Sequence, residues 1–281
     1  MNPWLSIFIL TAYFALILLI SWYTSRHSTA ADFYKGGGKS PWWAVAFGMI
    51  GTTLSGVTFI SVPGWVSSPA KMTYFAVILG NFVGYILIAH ILLPLYYKLN
   101  LTSIYTYVEQ RFGYRAYKTS ASLFLLSKMI GAAFRLFIVT LVLQIMIFAP
   151  LHIPFVLNVL FSVFILWAYT FKGGIKVIIW TDLIQTFFLV FAVIFTIFSI
   201  QKALGFSLGE MIFSMAHNPQ AQIFDFQNFW SNPNNFWKQF IAGIFIAIVM
   251  NGLDQDMMQK NLSLKNIREA KKNFLSFSLA F

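Results

Sequence analysis

Apolar runs of bilayer length recur along this chain and leave its backbone few choices. A helix that crosses a bilayer needs about 20 mostly apolar residues. In hydrocarbon every backbone N–H and C=O must find its partner inside the protein, so only helices and closed barrels can span it. Seven segments have the required character: 4–22, 42–66, 74–97, 119–148, 155–171, 177–201 and 236–255. An eighth starts near Asn273 and reaches Phe281, the last residue. The reading is an all-α integral membrane protein. The final "FLSFSLAF" stops within an apolar run, so the expectation is an N-terminal piece of a longer chain, with seven spans and the start of an eighth.

Composition agrees. Hydrophobic residues make up 59% of the chain and charged residues 10%, against about 25% charged in soluble domains. Cysteine is absent, which excludes a disulfide framework, a thiolate metal site and a cysteine nucleophile. The first apolar run begins at Trp4 with no basic residue before it, and does not read as a cleavable signal peptide.

A net charge of +11 could point to nucleic acid, but its distribution points to a membrane. One set of alternate loops holds Arg26, Lys35, Lys39, Lys98, Arg111, Arg115, Lys118, Lys172, Lys176, Lys260, Lys265, Arg268, Lys271 and Lys272, which is 14 of the 19 Lys and Arg. The opposite loops hold Lys71 and Lys202. By the positive-inside rule the rich side is cytoplasmic, the N-terminus lies outside, and the location is a cell membrane of the bacterial inner-membrane kind. The cations then face the lipid headgroups, and no nucleic-acid partner is expected. Lys128, Arg135 and Lys238 fall within spans. The stretch 102–113 reads as a short interfacial helix, and the aromatic-rich loop 202–235 as lying along the outer interface.

Three stretches carry candidate chemistry. The second span, "WWAVAFGMIGTTLSGVTFISVPGW", crowds glycine and hydroxyl residues near its middle. Small residues allow close helix packing. They also weaken the helix, and an unwound stretch at that depth would expose carbonyl oxygens, hard ligands for a small cation. A break is expected within residues 50–56. In "FKGGIKVIIWTDLIQTFFLV", Asp182 lies several residues inside the sixth span, where a carboxylate faces a cavity or a partner, or serves as a cap near the helix start. In "GLDQDMMQKNLSLKN", Asp254 and Asp256 fall where the seventh span leaves the membrane, and loop contacts with Lys260 and Lys265 would explain them. Four scattered histidines show no metal-ligand spacing. No arrangement resembles a nucleophile with a base, so an enzyme is disfavoured.

Together, "GGIKVIIWTDLIQ", "GMIGTTLSGVTFISVPGW" and "GLDQDMMQKNL" resemble signatures of the sodium:solute symporters, which include sodium–glucose, proline and sialic-acid transporters. The resemblance covers almost the whole chain. It implies an inverted-repeat, five-plus-five transporter fold: residues 1–41 as leader helix and loop, 42–201 as the first five-helix repeat, 202–235 as an external loop, and 236–281 as the start of the second repeat. It implies sodium-coupled import of a small solute, with sodium held by the carbonyls of Gly51 and Leu54. Asp182 resembles an aspartate linked in some members to a second sodium site or an exit route. Thr53, Ser55 and Thr58 resemble the hydroxyl cluster that sialic-acid members place around substrate. Met250 stands where sugar transporters of the family carry an aromatic gate, which weakens a sugar reading.

Arg135 stands about 16 residues, roughly 24 Å, from the start of its span as read here. Its guanidinium cannot snorkel from there and needs a wet cavity or an anion. A carboxylate on the substrate would suit the bidentate fork. The alternatives are a structural arginine in a symporter for a neutral solute, or a symporter-like sensory module of a larger signalling protein.

Overall fold

The structure, a computed structural model, describes residues 3–26, 40–54, 56–101, 103–171 and 174–279. Among these it contains helices and no strands. In chain order they are α1 (Pro3–Ser25), α2 (Trp42–Thr53), α3 (Gly56–Val66), α4 (Lys71–Lys98), α5 (Ile104–Phe112), α6 (Tyr114–Phe148), α7 (Phe155–Thr170), α8 (Gly174–Leu204), α9 (Leu208–Ala216), α10 (Phe236–Gly252), α11 (Gln255–Leu262) and α12 (Ile267–Leu279). A π-helical turn interrupts α4 at Ile88–Leu92, and π-helical turns end α6 at Gln144–Phe148 and α10 at Ile248–Gly252.

Among the described residues, four helices are long and apolar enough to cross a membrane, and the bent pairs α2/α3 and α10/α11 raise the number to six. The remaining expected span, 155–171, is α7, which has 16 residues and falls short on length. Trp4, Phe8, Phe134, Phe137, Phe191 and Phe195 stand exposed on α1, α6 and α8. Such faces suit lipid, where the helical backbone is already satisfied. At the end of α1 the Arg26 guanidinium lies 5.2 Å from the Trp22 ring centroid, a pairing of interface anchors.

Two compact units divide the chain. The first is Met1–Lys39 with Leu101–Thr181. Here Ser21 Oγ on α1 donates to the Tyr169 carbonyl on α7. Asn158, fully buried on α7, donates to the Thr140 carbonyl (2.7 Å) and to Gln144 Oε1 (3.2 Å) on α6. Gln144 in turn donates to the Ile153 carbonyl at 2.8 Å. Buried amides are thus paired with one another and with backbone, as a low-dielectric interior requires. The short helix expected within 102–113 is present as α5, with the Ser103 hydroxyl accepting from the Tyr105 amide at its start. Gly113, at φ +87°, turns the chain directly into α6. The fourth span therefore begins at Tyr114, five residues before the expected 119, because helix continues through the polar "YRAYK" that hydropathy left out.

The second unit is Ser40–Asn100 with Asp182–Phe281. Its tightest packing is α4 on α10. A Cβ on Gly80 would strike the Phe240 carbonyl, and one on Gly243 the Val77 carbonyl. Gly84 lies against Ala247 in the same seam. Small residues at four-residue spacing let the two backbones touch. Gly252 lies against Ile88 and Leu92, so the π turns of α4 and α10 pack on each other. Tyr85 is clasped by Phe274 and Phe277 of α12, at centroid distances of 6.4 and 4.8 Å.

Two expectations about the C-terminal region are corrected. The eighth apolar segment belongs to a helix that starts at Ile267, not near Asn273. Its first turns are charged and are capped by Asn266, whose side chain accepts from the Glu269 amide, so hydropathy alone missed them. Second, the chain after 252 is not a loop. It bends by 62° and continues as α11, with Met257, Met258, Lys260 and Asn261 buried. Asp254 caps α11 by accepting from the Asp256 and Met257 amides. The expected loop contact of Asp256 with Lys260 exists within this helix, at 3.5 Å.

Candidate functional site

The site is built on the end of α2. Helical geometry stops after Thr53: Leu54 takes φ −79° and ψ 83°, and its amide makes the last bond, to the Ile50 carbonyl at 2.7 Å. The axes of residues 42–53 and 58–66 differ by 56°. The break falls inside the expected window. Gly51 and Leu54 stand at this helix end, the part of a helix whose carbonyls are open to partners other than its own amides. Gly51 has a second role. A Cβ at this position would collide with Thr186 Oγ1 on α8, so the glycine lets α2 lie directly on α8.

The hydroxyls near the break turn back on their own helix. Thr52 Oγ1 donates to the Gly48 carbonyl (3.1 Å) and Thr53 Oγ1 to the Met49 carbonyl (3.0 Å). Such back-bonding weakens a helix end and leaves the hydroxyl lone pairs able to accept. Thr58 is half-buried in the first turns of α3. Ser55 lies outside the described residues.

Asp182 lies on α8 one turn before Thr186, whose hydroxyl donates to the Asp182 carbonyl at 2.7 Å. Its carboxylate is not a cap. Oδ2 accepts from Lys260 Nζ of α11 at 2.8 Å and lies 3.2 Å from Thr52 Oγ1 of α2, whose one proton is shared between it and the Gly48 carbonyl. Lys260 Nζ also donates to Thr52 Oγ1 at 3.0 Å and faces Asp256 Oδ2 at 3.5 Å. The Lys260 side chain is 3% exposed and that of Asp182 18%. Removing one partner of a buried ion pair costs roughly 3–5 kcal/mol.

Sequence reasoning counted Lys260 as a loop cation and missed this cluster. A signal was present: Met257, Lys260, Asn261 and Leu264 recur at helical spacing, and all four are buried. A buried amide pair continues the same surface. Asn273 of α12 donates to Asn261 Oδ1 at 2.6 Å, and both amides reach Met49 Sδ.

Arg135 occupies the other compact unit. It is exposed on α6, and no described side chain bonds to it. With α6 starting at Tyr114 and ending at Phe148, it stands 21 residues from one end and 13 from the other. Those are roughly 31 and 20 Å, so the arginine is farther from the start of its helix than expected, because α6 starts earlier. Among the described residues there is no group of three His, Cys, Asp or Glu able to hold a metal ion. Backbone and hydroxyl oxygens near the break, with the Asp182 carboxylate beside them, are the cation donors this arrangement offers.

Residues 33–279 match the model of the sodium:solute symporter family. The chain is 32% identical over 274 residues to the sodium/sialic acid symporter NanT of Aliivibrio fischeri, covering 95% of the chain and 52% of that protein. It is 30% identical over 275 residues to the sodium/sialic acid symporter SiaT of Proteus mirabilis, covering 95% and 53%. The fold matches a solved, substrate-bound, outward-open structure of a Na+-coupled sialic acid symporter with a TM-score of 0.82 and 25% identity, over 96% of this chain and 57% of that one. The chain spans about half the length of the curated relatives it matches.

Proposed function

The chain belongs to the sodium:solute symporter family, and from that premise we propose that the whole protein is a sodium-coupled symporter importing a small organic anion, a carboxylated sugar of the sialic-acid type. It is a multi-pass membrane protein. The loop charges support an orientation with the N-terminus outside and the basic loops in the cytoplasm, in a cell membrane of the bacterial inner-membrane kind. Sodium moving inward down its gradient would drive the solute. This is a carrier's task rather than an enzyme's.

The observation that carries the reading is the break at Leu54 in the middle of an apolar run. A break within a membrane-crossing run would offer carbonyl oxygens at a helix end, and there Gly51 and Leu54 would hold sodium. Asp182 would serve a second cation or its exit. Thr53, Ser55 and Thr58 would meet the solute's hydroxyls, and Arg135 its carboxylate. An arginine in a 35-residue helix of high hydropathy costs at least about 2.5–3.5 kcal/mol at mid-depth. Pairing with a substrate anion offsets that cost and uses the guanidinium's fork. The names of the similar symporters agree with an acidic sugar as solute.

Thermal unfolding of the full-length protein, in sodium and in choline buffer, tests this against N-acetylneuraminic acid, small monocarboxylates and neutral sugars. An acidic sugar should raise Tm, and only with sodium. Stabilisation by neutral solutes alone would favour the neutral-solute symporter and leave Arg135 structural. Absence of any sodium effect would overturn sodium coupling.

A further inference from the structure

Both broken helices end at one ammonium. Lys260 sits on α11, which follows the bend at Leu253–Asp254. Thr52 sits on α2, two residues before the break at Leu54. Asp182 lies between them on α8. The three N–H bonds of one lysine are met by Asp182 Oδ2 at 2.8 Å, Thr52 Oγ1 at 3.0 Å and Asp256 Oδ2 at 3.5 Å. Carboxylate and hydroxyl oxygens are also what a hard monovalent cation takes. In this conformation the place beside Asp182 is therefore filled by a cation that cannot leave the chain.

We propose that Lys260 is a tethered counter-cation that holds α2, α8 and α11 together, and that its release from Asp182 is required for this end of the protein to open. The inference rests on the symporter reading only in naming that opening a transport step. Parting α11 from α8 leaves a buried carboxylate without its partner, which is unfavourable until water or another cation reaches it. A sodium ion arriving at Asp182 has to displace Nζ, so cation occupancy and opening would be linked at one carboxylate oxygen. Asp256, on the same helix as Lys260, moves with the lysine and keeps it partly neutralised after release. Lys260 acts here as a positioning residue, through Asp182.

Residues 1–281 contain no cysteine, so a thiol placed here is the reporter of this region once any cysteine elsewhere in the full-length protein has been replaced by serine. Ser263, at the C-cap of α11, is fully buried, and Ser263→Cys is close to isosteric. In inside-out vesicles carrying the full-length protein, maleimide labelling of this cysteine reads opening on the proposed cytoplasmic face. Lys260→Met and Asp182→Asn should each speed labelling, Lys260→Met by about tenfold or more, since a lone buried carboxylate favours the hydrated, open state. Lys260→Arg should stay slow. The double variant should label no faster than the faster single one, because the two residues act through one bond. Thr52→Val, which removes one oxygen and no charge, should speed labelling by about two- to fivefold, and decides the matter if the charge variants fail to fold. Slow labelling in Lys260→Met and Thr52→Val, or additive effects in the double variant, overturns the latch. Labelling needs no solute. An uptake assay that fails while these rates behave as expected removes the symport reading and leaves the latch standing.

Discussion

Gly51→Ala places the first atom of a side chain where α2 touches α8. The added Cβ would overlap Thr186 Oγ1 and come within 2.9 Å of Thr186 Cβ and 3.1 Å of Thr186 Cα. Carbon atoms pack at about 3.5–4.0 Å, so the helices must part by roughly half an ångström or more, or Thr186 must leave its rotamer and its 2.7 Å bond to the Asp182 carbonyl. Overpacking of this kind costs typically about 1–3 kcal/mol. The nearest obstacle is a side chain, so part of the cost is recoverable. Thr186→Ala removes Oγ1 and leaves Cβ in place. The pair should therefore show a favourable coupling of about 1 kcal/mol in a double-mutant cycle, short of full rescue. Reversible unfolding of the full-length protein in mild detergent measures it. Sodium-dependent Tm shifts on the same samples show whether the Gly51 carbonyl has moved. If Gly51→Ala is as stable as the parent within about 0.5 kcal/mol, or if the two substitutions simply add, α2 does not rest on α8 at Thr186 and the argument fails.

Gly80→Ala should destabilise by about 1–3 kcal/mol in the same assay with no rescue from side-chain changes at Phe240, because its obstacle is the Phe240 carbonyl itself; a neutral result would contradict the α4–α10 contact. Asp254→Ala should cost about 1 kcal/mol and Asp254→Asn much less, since Asn also caps, with equal losses counting against the cap. Arg135→Lys should keep the charge but lose the fork and weaken binding of an acidic sugar, while Arg135→Ala nearly abolishes it in a folded protein; a selective defect for neutral solutes instead would rule out the anion reading. The Ser207 amide and then its hydroxyl hold the Glu210 carboxyl below its ordinary value of 4.5. The cap's contribution is therefore complete above that value and lost as pH falls through the lower folded one. Amide exchange at the start of α9, corrected for intrinsic rates, should accelerate there in the parent but not in Glu210→Gln, and equal profiles would refute the capping box.

Much of the architecture was written in local terms. Helix is the open-ended structure that satisfies its own backbone in hydrocarbon, so runs of apolar residues announced α1, α4, α6, α8 and α10 without knowledge of their neighbours. Glycine and hydroxyl residues around Leu54 weaken a helix by short-range effects, and the break appeared where they cluster. Hydropathy was a poor guide wherever helix and apolarity part company. It cut off the polar start of α6, began the last helix too late, and took α11 for a loop because "DQDMMQK" is polar.

The site divides the same way. Residues 51–54 and Asp182 stood out because a hydroxyl-rich glycine stretch or a carboxylate is costly inside a membrane whatever surrounds it. Which partner relieves that cost is a non-local matter. Lys260 lies 78 positions from Asp182 and 208 from Thr52, separations over which the chain pattern carries no register. Sequence alone determined that this chain crosses a membrane as helices, where one of them weakens, and which polar groups need company there. The folded arrangement alone decided that Gly51 is flat against Thr186, and that a lysine which reads as a surface cation is buried as the counter-ion of Asp182, because ion pairing depends on distance in space and not along the chain.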